Sequence, residues 1–194
     1  MDGLDLSNKK GEMEHLVDAV KKGDQDAFST LYDILIGPIY RYIFYRVSRQ
    51  DAEDLVENVF VKVWVNIHSY KNREGKTFSA WVFRIAHNLI VDYYRKSKNQ
   101  AVEELSSNIP DVRREHNPIH SVAQFLDSTN LKKALRVLKK PYQDVVIHKF
   151  INGFSNAEIA EIMKRSEGSV RILQFRALKI LKDELKSLGI KYSF

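Results

Sequence analysis

The sequence lacks the residues on which several classes of protein depend. It contains no cysteine, which excludes disulfide frameworks, thiol nucleophiles and thiolate metal sites. Only 4 of its 194 residues are proline and 8 are glycine, so we expect long helices rather than a turn-rich β-sandwich. No apolar run approaches the roughly 18 residues that span a bilayer, so no direct membrane insertion is expected. Residues 1–11 are polar and lack the apolar core of a signal peptide, which predicts a cytoplasmic location.

Charge is distributed unevenly along the chain. Residues 1–100 carry 15 basic and 14 acidic side chains, residues 101–130 carry 2 and 5, and residues 131–194 carry 14 and 6. A strongly basic last third on a nearly neutral body predicts that this third binds a polyanion. Lysines on solvated helix faces are the alternative explanation of the same surplus.

Apolar side chains recur at helical spacing over most of the chain, and no segment alternates with a period of two. The pattern is interrupted at Gly37-Pro38, where we expect one helix to end and another to begin. Between residues 99 and 127 it lapses in a stretch that contains two prolines and an acidic surplus, which predicts a flexible linker. The sequence therefore predicts an all-α fold in which helical domains at residues 12–98 and 128–187 are joined by a flexible linker at residues 99–127.

The second domain contains a local pattern typical of a helix-turn-helix. Ser155 and Glu158 have the spacing of a capping box, which predicts the start of a short helix. Ser166 can cap a second helix after a tight turn. We expect that helix to bury a stripe of apolar side chains, namely Val170, Leu173, Ala177, Leu178 and Leu181. A helix-turn-helix lays its second helix in the major groove of DNA.

Polar side chains near the turn suit that use. Arg171 and Gln174 can donate paired hydrogen bonds to base edges, and Lys164, Arg165 and Lys179 can hold phosphates. A helical hairpin with an exposed basic face is the alternative. The capping box, the turn and the charge asymmetry together favour the DNA-binding interpretation.

Four carboxylates lie within seven residues at a predicted helix start, on Asp51, Glu53, Asp54 and Glu57. Acidic groups stabilise the N-terminus of a helix through its dipole, which accounts for Asp51 and can extend to Glu53. Glu57 lies beyond the first turn. The segment therefore also indicates a surface for a basic protein partner, and capping alone remains the alternative.

A basic loop, residues 71–77, precedes a helix that begins near Phe78. On that helix a stripe beside the apolar face is formed by Trp81, Arg84, Asn88, Asp92 and Arg95. Aromatic rings interleaved with cations suit single-stranded nucleic acid, because bases stack on rings and phosphates pair with cations. Packing of Trp81 in the core is the alternative.

Three segments in one order resemble a known family. Residues 51–64, DAEDLVENVFVKVW, closely resemble the signature of extracytoplasmic-function RNA polymerase sigma factors, the group 4 sigma factors. Residues 78–95, FSAWVFRIAHNLIVDYYR, resemble the next segment of that family, and residues 19–28 resemble its opening helix. The helix-turn-helix is similar to the family's fourth region. The resemblance covers about residues 16–185.

The resemblance implies a sigma factor that binds core RNA polymerase and directs promoter recognition and transcription initiation. The acidic segment would dock on clamp helices of the largest polymerase subunit, through Asp51, Glu53, Asp54, Glu57 and Asn58. The acidic linker would pass through polymerase toward the RNA exit path. Such factors are usually held inactive by a membrane-associated anti-sigma factor, so an anti-sigma partner is expected.

The resemblance also implies two contacts with promoter DNA. The first domain would capture flipped bases of the opened non-template strand at the minus-ten element, through Asn72, Arg73, Lys76, Phe78, Trp81, Arg84, Asn88 and Arg95. The second domain would read the minus-thirty-five element as duplex, through Lys164, Arg165, Ser169, Arg171, Gln174, Phe175 and Lys179. Many members carry a Lys-Ser-Arg triplet where this chain has Arg171-Ile172-Leu173, so Arg171 and Gln174 must carry more of the readout.

Two other functional classes compete with this interpretation. A stand-alone helix-turn-helix transcription regulator would share the basic third but would not need the acidic segment or the basic loop. An enzyme is disfavoured, since the chain has no phosphate-binding glycine loop, no Gly-x-Ser-x-Gly elbow and no cysteine. His116 and His120 could form a ligand pair but lie in the linker. We expect His68, His87 and His148 to be ordinary surface or core residues, so no catalytic residue, metal, cofactor or small-molecule substrate is predicted.

Overall fold

The computed structural model describes Leu6 and residues 9–73, 76–100, 135 and 137–187, with side chains described to residue 96 in the first domain and to residue 183 in the second. Most of the predicted linker, with its two histidines, lies outside the described residues. The described part of the chain contains helices and no β-strand, which confirms the predicted all-α fold. Its helices are α1 (Lys10–Lys21), α2 (Gln25–Phe44), α3 (Arg49–Asn66), α4 (Phe78–Gln100), α5 (Lys140–Val146), α6 (Asn156–Met163) and α7 (Glu167–Ser187).

Side-chain caps begin the long helices of the first domain. Asp24 accepts a hydrogen bond from the backbone N–H of Ala27 at 3.0 Å at the start of α2. Ser48 accepts one from the N–H of Asp51 at 3.2 Å at the start of α3. Each cap satisfies a backbone donor that has no partner within its helix. The helix boundaries therefore follow from local sequence.

The predicted interruption at Gly37-Pro38 is wrong, because α2 continues through it to Phe44. A proline within a helix removes one backbone hydrogen bond and crowds the preceding turn. Here the flanking residues Ile36, Ile39 and Tyr40 are all buried. Their burial in the core of the first domain outweighs the local cost of the proline.

Helix α5, in the second domain, begins at a proline. Pro141 lies in the first turn of α5, where its missing N–H costs nothing. The chain continues from α5 as one π-helical turn, Ile147–Ile151, and leaves the helix at Gly153, whose φ is +75°. That left-handed conformation suits glycine and directs Phe154 back toward the core.

The two domains pack against each other. Helix α6 lies on α4, and the aromatic ring of Phe83 in α4 lies 4.8 Å from the ring of Phe154 and 5.7 Å from that of His148. Phe83 is fully buried as a result. The amphipathic pattern of α4 accounts for the face that packs within the first domain. The second domain covers another face of the same helix.

A polar cluster lies buried within this contact. The guanidinium of Arg46, just after α2, pairs with the carboxylate of Asp144 in α5, and the two side chains are only 2% and 5% exposed. The hydroxyl of Tyr42 donates a hydrogen bond to Asp144 Oδ1 at 3.0 Å and lies 3.0 Å from His87 Nδ1. Burial raises the pKa of Tyr42 to about 12, so its phenol remains a donor at neutral pH.

Two imidazoles adjoin the cluster. Burial, together with the charge of Arg46, lowers the pKa of His87 to about 4. Burial lowers the pKa of His148 well below its ordinary value, and neither of its ring nitrogens has a hydrogen-bond partner among the residues that the structure describes. His148 is therefore a core residue, as the sequence predicts, but a polar one that the core does not satisfy.

The depressed pKa values predict that acid destabilises the fold. Below the ordinary histidine pKa of 6.5 an unfolded chain takes up protons that these two imidazoles do not accept while folded. Above pH 6.5 the two histidines should therefore leave the free energy of unfolding unchanged. As the pH drops from 6.5 toward about 4, they should lower it. The midpoint of thermal unfolding, measured across this range, tests the expectation.

His148→Leu isolates one of the two contributions. It removes an unsatisfied buried imidazole, so the free energy of unfolding at pH 7 should rise by about 1 kcal/mol. The dependence of the unfolding midpoint on pH should also become flatter. A loss of stability at pH 7 would show instead that the imidazole makes a hydrogen bond that holds the core together.

Candidate functional site

The helix-turn-helix forms as its sequence predicts. Ser155 Oγ accepts a hydrogen bond from the N–H of Glu158 at 3.2 Å, and Glu158 Oε2 accepts one from the N–H of Ser155 at 2.9 Å, which completes the capping box. Lys164 ends α6 in the left-handed conformation, with φ +52°. Ser166 then caps α7 by accepting a hydrogen bond from the N–H of Ser169 at 3.2 Å.

The second helix of this motif, α7, presents an exposed face of mixed character. Val170 and Ala177 are fully buried, as predicted. Leu178 differs from the prediction, being 41% exposed. The exposed residues from the turn onward include most of those predicted to contact the minus-thirty-five element, namely Lys164, Arg165, Arg171, Phe175 and Lys179.

Two predicted base-reading side chains already have partners in the second domain. Gln174 Nε2 donates a hydrogen bond to Asn156 Oδ1 at 2.8 Å and is half-buried. Arg171 lies 3.5 Å from a carboxylate oxygen of Glu167, one turn earlier. These contacts fix the orientation of the Gln174 and Arg171 side chains on α7. Ser169 is half-buried beside them.

The basic loop of the first domain is anchored at both ends by Glu14 of α1. Glu14 Oε1 accepts hydrogen bonds from the hydroxyl of Tyr70 at 2.7 Å and from the N–H of Phe78 at 3.1 Å. Burial and the bond to Glu14 raise the pKa of Tyr70. The exposed loop residues Asn72, Arg73 and Lys76 are thereby held next to the start of α4.

The aromatic residues of this site pack together. Phe78 is only 1% exposed, so its ring does not reach solvent as the predicted base contact would. It lies 5.2 Å from the ring of Tyr70 and 5.6 Å from that of Trp81. Trp81 is half-buried on top of both rings. Phe78 supports Trp81 in this structure, and Trp81 is the ring near the surface.

The predicted cationic stripe along α4 is divided into two parts. Asn88 and Arg95 are exposed, and Arg95 pairs with Asp92 on its own helix, at 3.2 Å. Arg84 and the loop residue Lys76 instead contact the second domain. Their charged groups lie 2.5 Å and 3.1 Å from the carboxylate of Glu161 in α6.

The acidic segment forms the first half of α3, and its members are not equivalent. Asp51 accepts a hydrogen bond from the hydroxyl of Tyr93 at 2.8 Å in addition to its contact with the helix cap. Glu53 is half-buried. Asp54, Glu57 and Asn58 are exposed. The last three are therefore the members most accessible to a partner.

Two valines that sequence reasoning did not single out share that exposed face. Val61 is 61% exposed and Val65 is 69% exposed. Positions 54, 57, 58, 61 and 65 follow helical spacing, so they form one stripe, which we call the α3 face. The signal was present in the sequence, because these valines lie off the apolar arc that Val56, Val59 and Val63 define.

His87, Asp144 and His148 offer nitrogen and oxygen atoms that all lie within 4.8 Å of one another, a grouping that could hold a metal ion. The Arg46 guanidinium already pairs with that carboxylate, and its positive charge opposes a second cation. The cluster is best described as a buried ion pair flanked by neutral imidazoles.

Among the helices that the structure describes, none combines the length and the apolar character that a membrane span requires.

Each of the two domains matches a known protein family. The Sigma-70 region 2 family matches residues 31–100, and the Sigma-70 region 4 family matches residues 128–181. The chain is 35% identical over 171 residues to ECF RNA polymerase sigma factor BldN of Streptomyces coelicolor, covering 87% of this chain and 64% of BldN. It is 32% identical over 179 residues to ECF RNA polymerase sigma factor SigW of Bacillus subtilis, covering 87% of this chain and 94% of SigW.

Solved structures share the fold. A sigma factor RpoE from Bartonella quintana, solved with the anti-sigma factor NepR, superposes with a TM-score of 0.66 at 23% identity, covering 82% of this chain and 96% of that one. CnrH, solved with the cytosolic domain of CnrY, gives a TM-score of 0.63 at 23% identity, covering 89% and 96%. The matching families favour a sigma factor over a stand-alone regulator. The chain belongs to the extracytoplasmic-function RNA polymerase sigma factors, which direct promoter recognition and transcription initiation.

Proposed function

We propose that the exposed α3 face is the surface through which this sigma factor binds core RNA polymerase. The observation that carries the proposal is the combination, on one helix, of exposed Asp54, Glu57 and Asn58 with exposed Val61 and Val65. Carboxylates steer a basic partner and fix its register, while apolar side chains contribute affinity once they are covered. Asp51 and Glu53 support the surface from the start of the same helix.

The minus-ten element is proposed to bind the loop and the start of α4 as an opened strand. Asn72, Arg73 and Lys76 lie on the loop, and Trp81 offers the accessible ring on which a flipped base can stack. Arg84, Asn88 and Arg95 would follow the strand along α4. Phe78 serves this surface by supporting Trp81 rather than by contacting a base.

The minus-thirty-five element is proposed to bind α7 in the major groove. Arg171 and Gln174 would read base edges, and Phe175 could contact a thymine methyl group. Lys164, Arg165 and Lys179 would hold phosphates, with Ser169 beside them near the start of α7. The contacts of Arg171 with Glu167 and of Gln174 with Asn156 would be exchanged for base contacts on binding.

The division into domains follows the same assignment. We propose boundaries at residues 12–98, 99–127 and 128–187, which the two family matches support. Two solved relatives are complexes with NepR and with CnrY, so we also propose that an anti-sigma protein regulates this chain. A location in the cytoplasm, where promoter DNA and polymerase meet, and the absence of catalytic activity complete the proposal.

Charge reversal on the α3 face tests the polymerase contact. Asp54→Lys combined with Glu57→Lys should weaken binding to bacterial core RNA polymerase by at least about 100-fold, because like charges placed opposite each other in an interface cost several kcal/mol. Binding is measured with purified components by fluorescence anisotropy. Circular dichroism should show unchanged helical content, since both side chains are exposed.

The matched control places the same reversal elsewhere in the first domain. Glu12→Lys with Asp18→Lys changes the net charge equally at exposed positions of α1. Polymerase affinity should stay within about twofold of the wild type, because exposed charges far from an interface act only through a screened field. Equal losses in the two double variants would mean that net charge, and not the α3 face, governs binding.

Substitution on α7 distinguishes base readout from phosphate contact. Arg171→Ala should cost about 1–3 kcal/mol on the cognate promoter, and less on promoters whose minus-thirty-five element is altered at the base it reads. Lys179→Ala should weaken all promoters equally and reduce the salt dependence of binding by about one unit. Equal losses on every promoter for Arg171→Ala would assign Arg171 to a phosphate instead.

A further inference from the structure

Two large apolar side chains lie exposed on the first half of α7. Ile172 is 54% exposed and Phe175 is 73% exposed. They are three residues apart, so they are neighbours on one face of the helix. A contiguous apolar surface in water marks a place that a partner covers. Ile172 stands at the serine position of the Lys-Ser-Arg triplet that many members carry, so this surface departs from the common family pattern.

Exposed cations surround the apolar pair. Arg171, Arg176 and Lys179 are all exposed. Positions 171, 175 and 179 follow one another at intervals of about one turn, so Phe175 lies between two cations, with Ile172 beside it. This surface suits a partner that offers both negative charge and small apolar groups. Duplex DNA offers phosphates along its backbone and the thymine methyl group in its major groove.

The first turn of α7 leaves room for close approach to that groove. Gly168 lies one turn before Ile172 on the same face. Its φ is not positive, and a Cβ at this position would meet no atom of the described chain within 4 Å. Neither the backbone nor the packing therefore requires glycine, which stabilises a helix less than alanine does. A glycine lets the backbone approach a ligand closely, and the first residues of a recognition helix are those that reach base edges.

We propose that Ile172 and Phe175 read thymine methyl groups, so that the minus-thirty-five element of this sigma factor contains two adjacent T·A base pairs. Three residues advance about 4.5 Å along a helix, close to the ~3.4 Å between stacked base pairs, so each side chain can cover one methyl group. That methyl is the apolar group that a base presents in the major groove. The inference rests on the proposed function, because it requires α7 to lie in that groove.

The assignment divides the readout between two kinds of side chain. Arg171 and Gln174 supply hydrogen bonds to base edges, whereas Ile172 and Phe175 select a methyl group by covering it. Burial of one methyl group corresponds to a factor of about three to five in affinity. Loss of both methyl groups should therefore weaken binding about tenfold to 25-fold without changing any hydrogen bond between base and protein.

Selection from a promoter library identifies the element. The sigma factor assembled with bacterial core RNA polymerase is offered duplex promoters whose minus-thirty-five element is randomised, and the bound DNA is sequenced. The enriched sequences should contain two adjacent T·A pairs. An enriched element without them would overturn the inference. Absence of any enriched sequence at this element would instead refute the proposed binding of α7.

Deoxyuridine then removes the methyl groups alone, since it pairs with adenine as thymine does. Placing it at both thymines of the selected element should weaken binding of the holoenzyme about tenfold to 25-fold, as measured by fluorescence anisotropy on labelled promoter DNA. The same replacement between the two promoter elements is the DNA control and should leave affinity unchanged. Equal affinity for thymine and deoxyuridine in the element would overturn the methyl readout and leave the binding of α7 to this element established.

Serine substitutions assign each methyl group to a side chain. Ile172→Ser and Phe175→Ser should each bind the thymine promoter at least about threefold more weakly, and each should become indifferent to deoxyuridine at one position. Phe150→Ser is the matched control, because Phe150 is 56% exposed but lies outside α7. It should bind and discriminate as the wild type does. Equal weakening of the thymine and deoxyuridine promoters would overturn the inference and assign the pair to a protein contact.

Gly168→Ala tests the close approach. Alanine favours the helix, so the midpoint of thermal unfolding should not fall. The holoenzyme should nevertheless bind the selected promoter at least about fivefold more weakly, because the added methyl group would crowd the DNA. An unchanged affinity would overturn the proposed depth of α7 in the groove.

Discussion

The guanidinium of Arg46 lies where two helical domains meet, almost completely out of water, and the carboxylate of Asp144 from the other domain neutralises it. Neither charge is tolerable there alone, because burying an unpaired ion costs several kcal/mol. Tyr42 adds its hydroxyl to the same carboxylate. The relative position of α2 and α5, and through them of the two surfaces proposed to bind DNA, depends on this contact between residues about a hundred positions apart.

Other features of the interface follow from it. With the domains held together, the rings of Phe83, Phe154 and His148 form one aromatic layer, and α4 becomes buried on a side that its own amphipathic pattern does not require. His148 is enclosed without a hydrogen-bond partner in the described part of the chain. Glu158 serves two purposes, since one carboxylate oxygen completes the capping box of α6 and the other accepts from Thr77.

Local features of the sequence predicted most elements of the fold. The capping box at Ser155 and the serine cap of α7 formed as expected, because each depends on residues within one turn. Errors arose where burial decided. Helix α2 passes through Pro38, Leu178 is exposed, and Phe78 is buried behind Trp81. Only the polar members of the α3 face were identified from the sequence, and its two valines were missed although they lie off the apolar arc of the helix.

The sequence by itself determined the class and the family of this protein. Helical periodicity, the capping signals, the acidic and basic-aromatic segments and the basic last third are all properties of neighbouring residues, and they identify a two-domain sigma factor. Tertiary structure alone decided which side chains are accessible and how the two domains meet. The pairing of Arg46 with Asp144 and of Arg84 with Glu161 joins positions with no local relationship. Such contacts depend on how whole helices pack, and no periodicity or spacing along the chain encodes them.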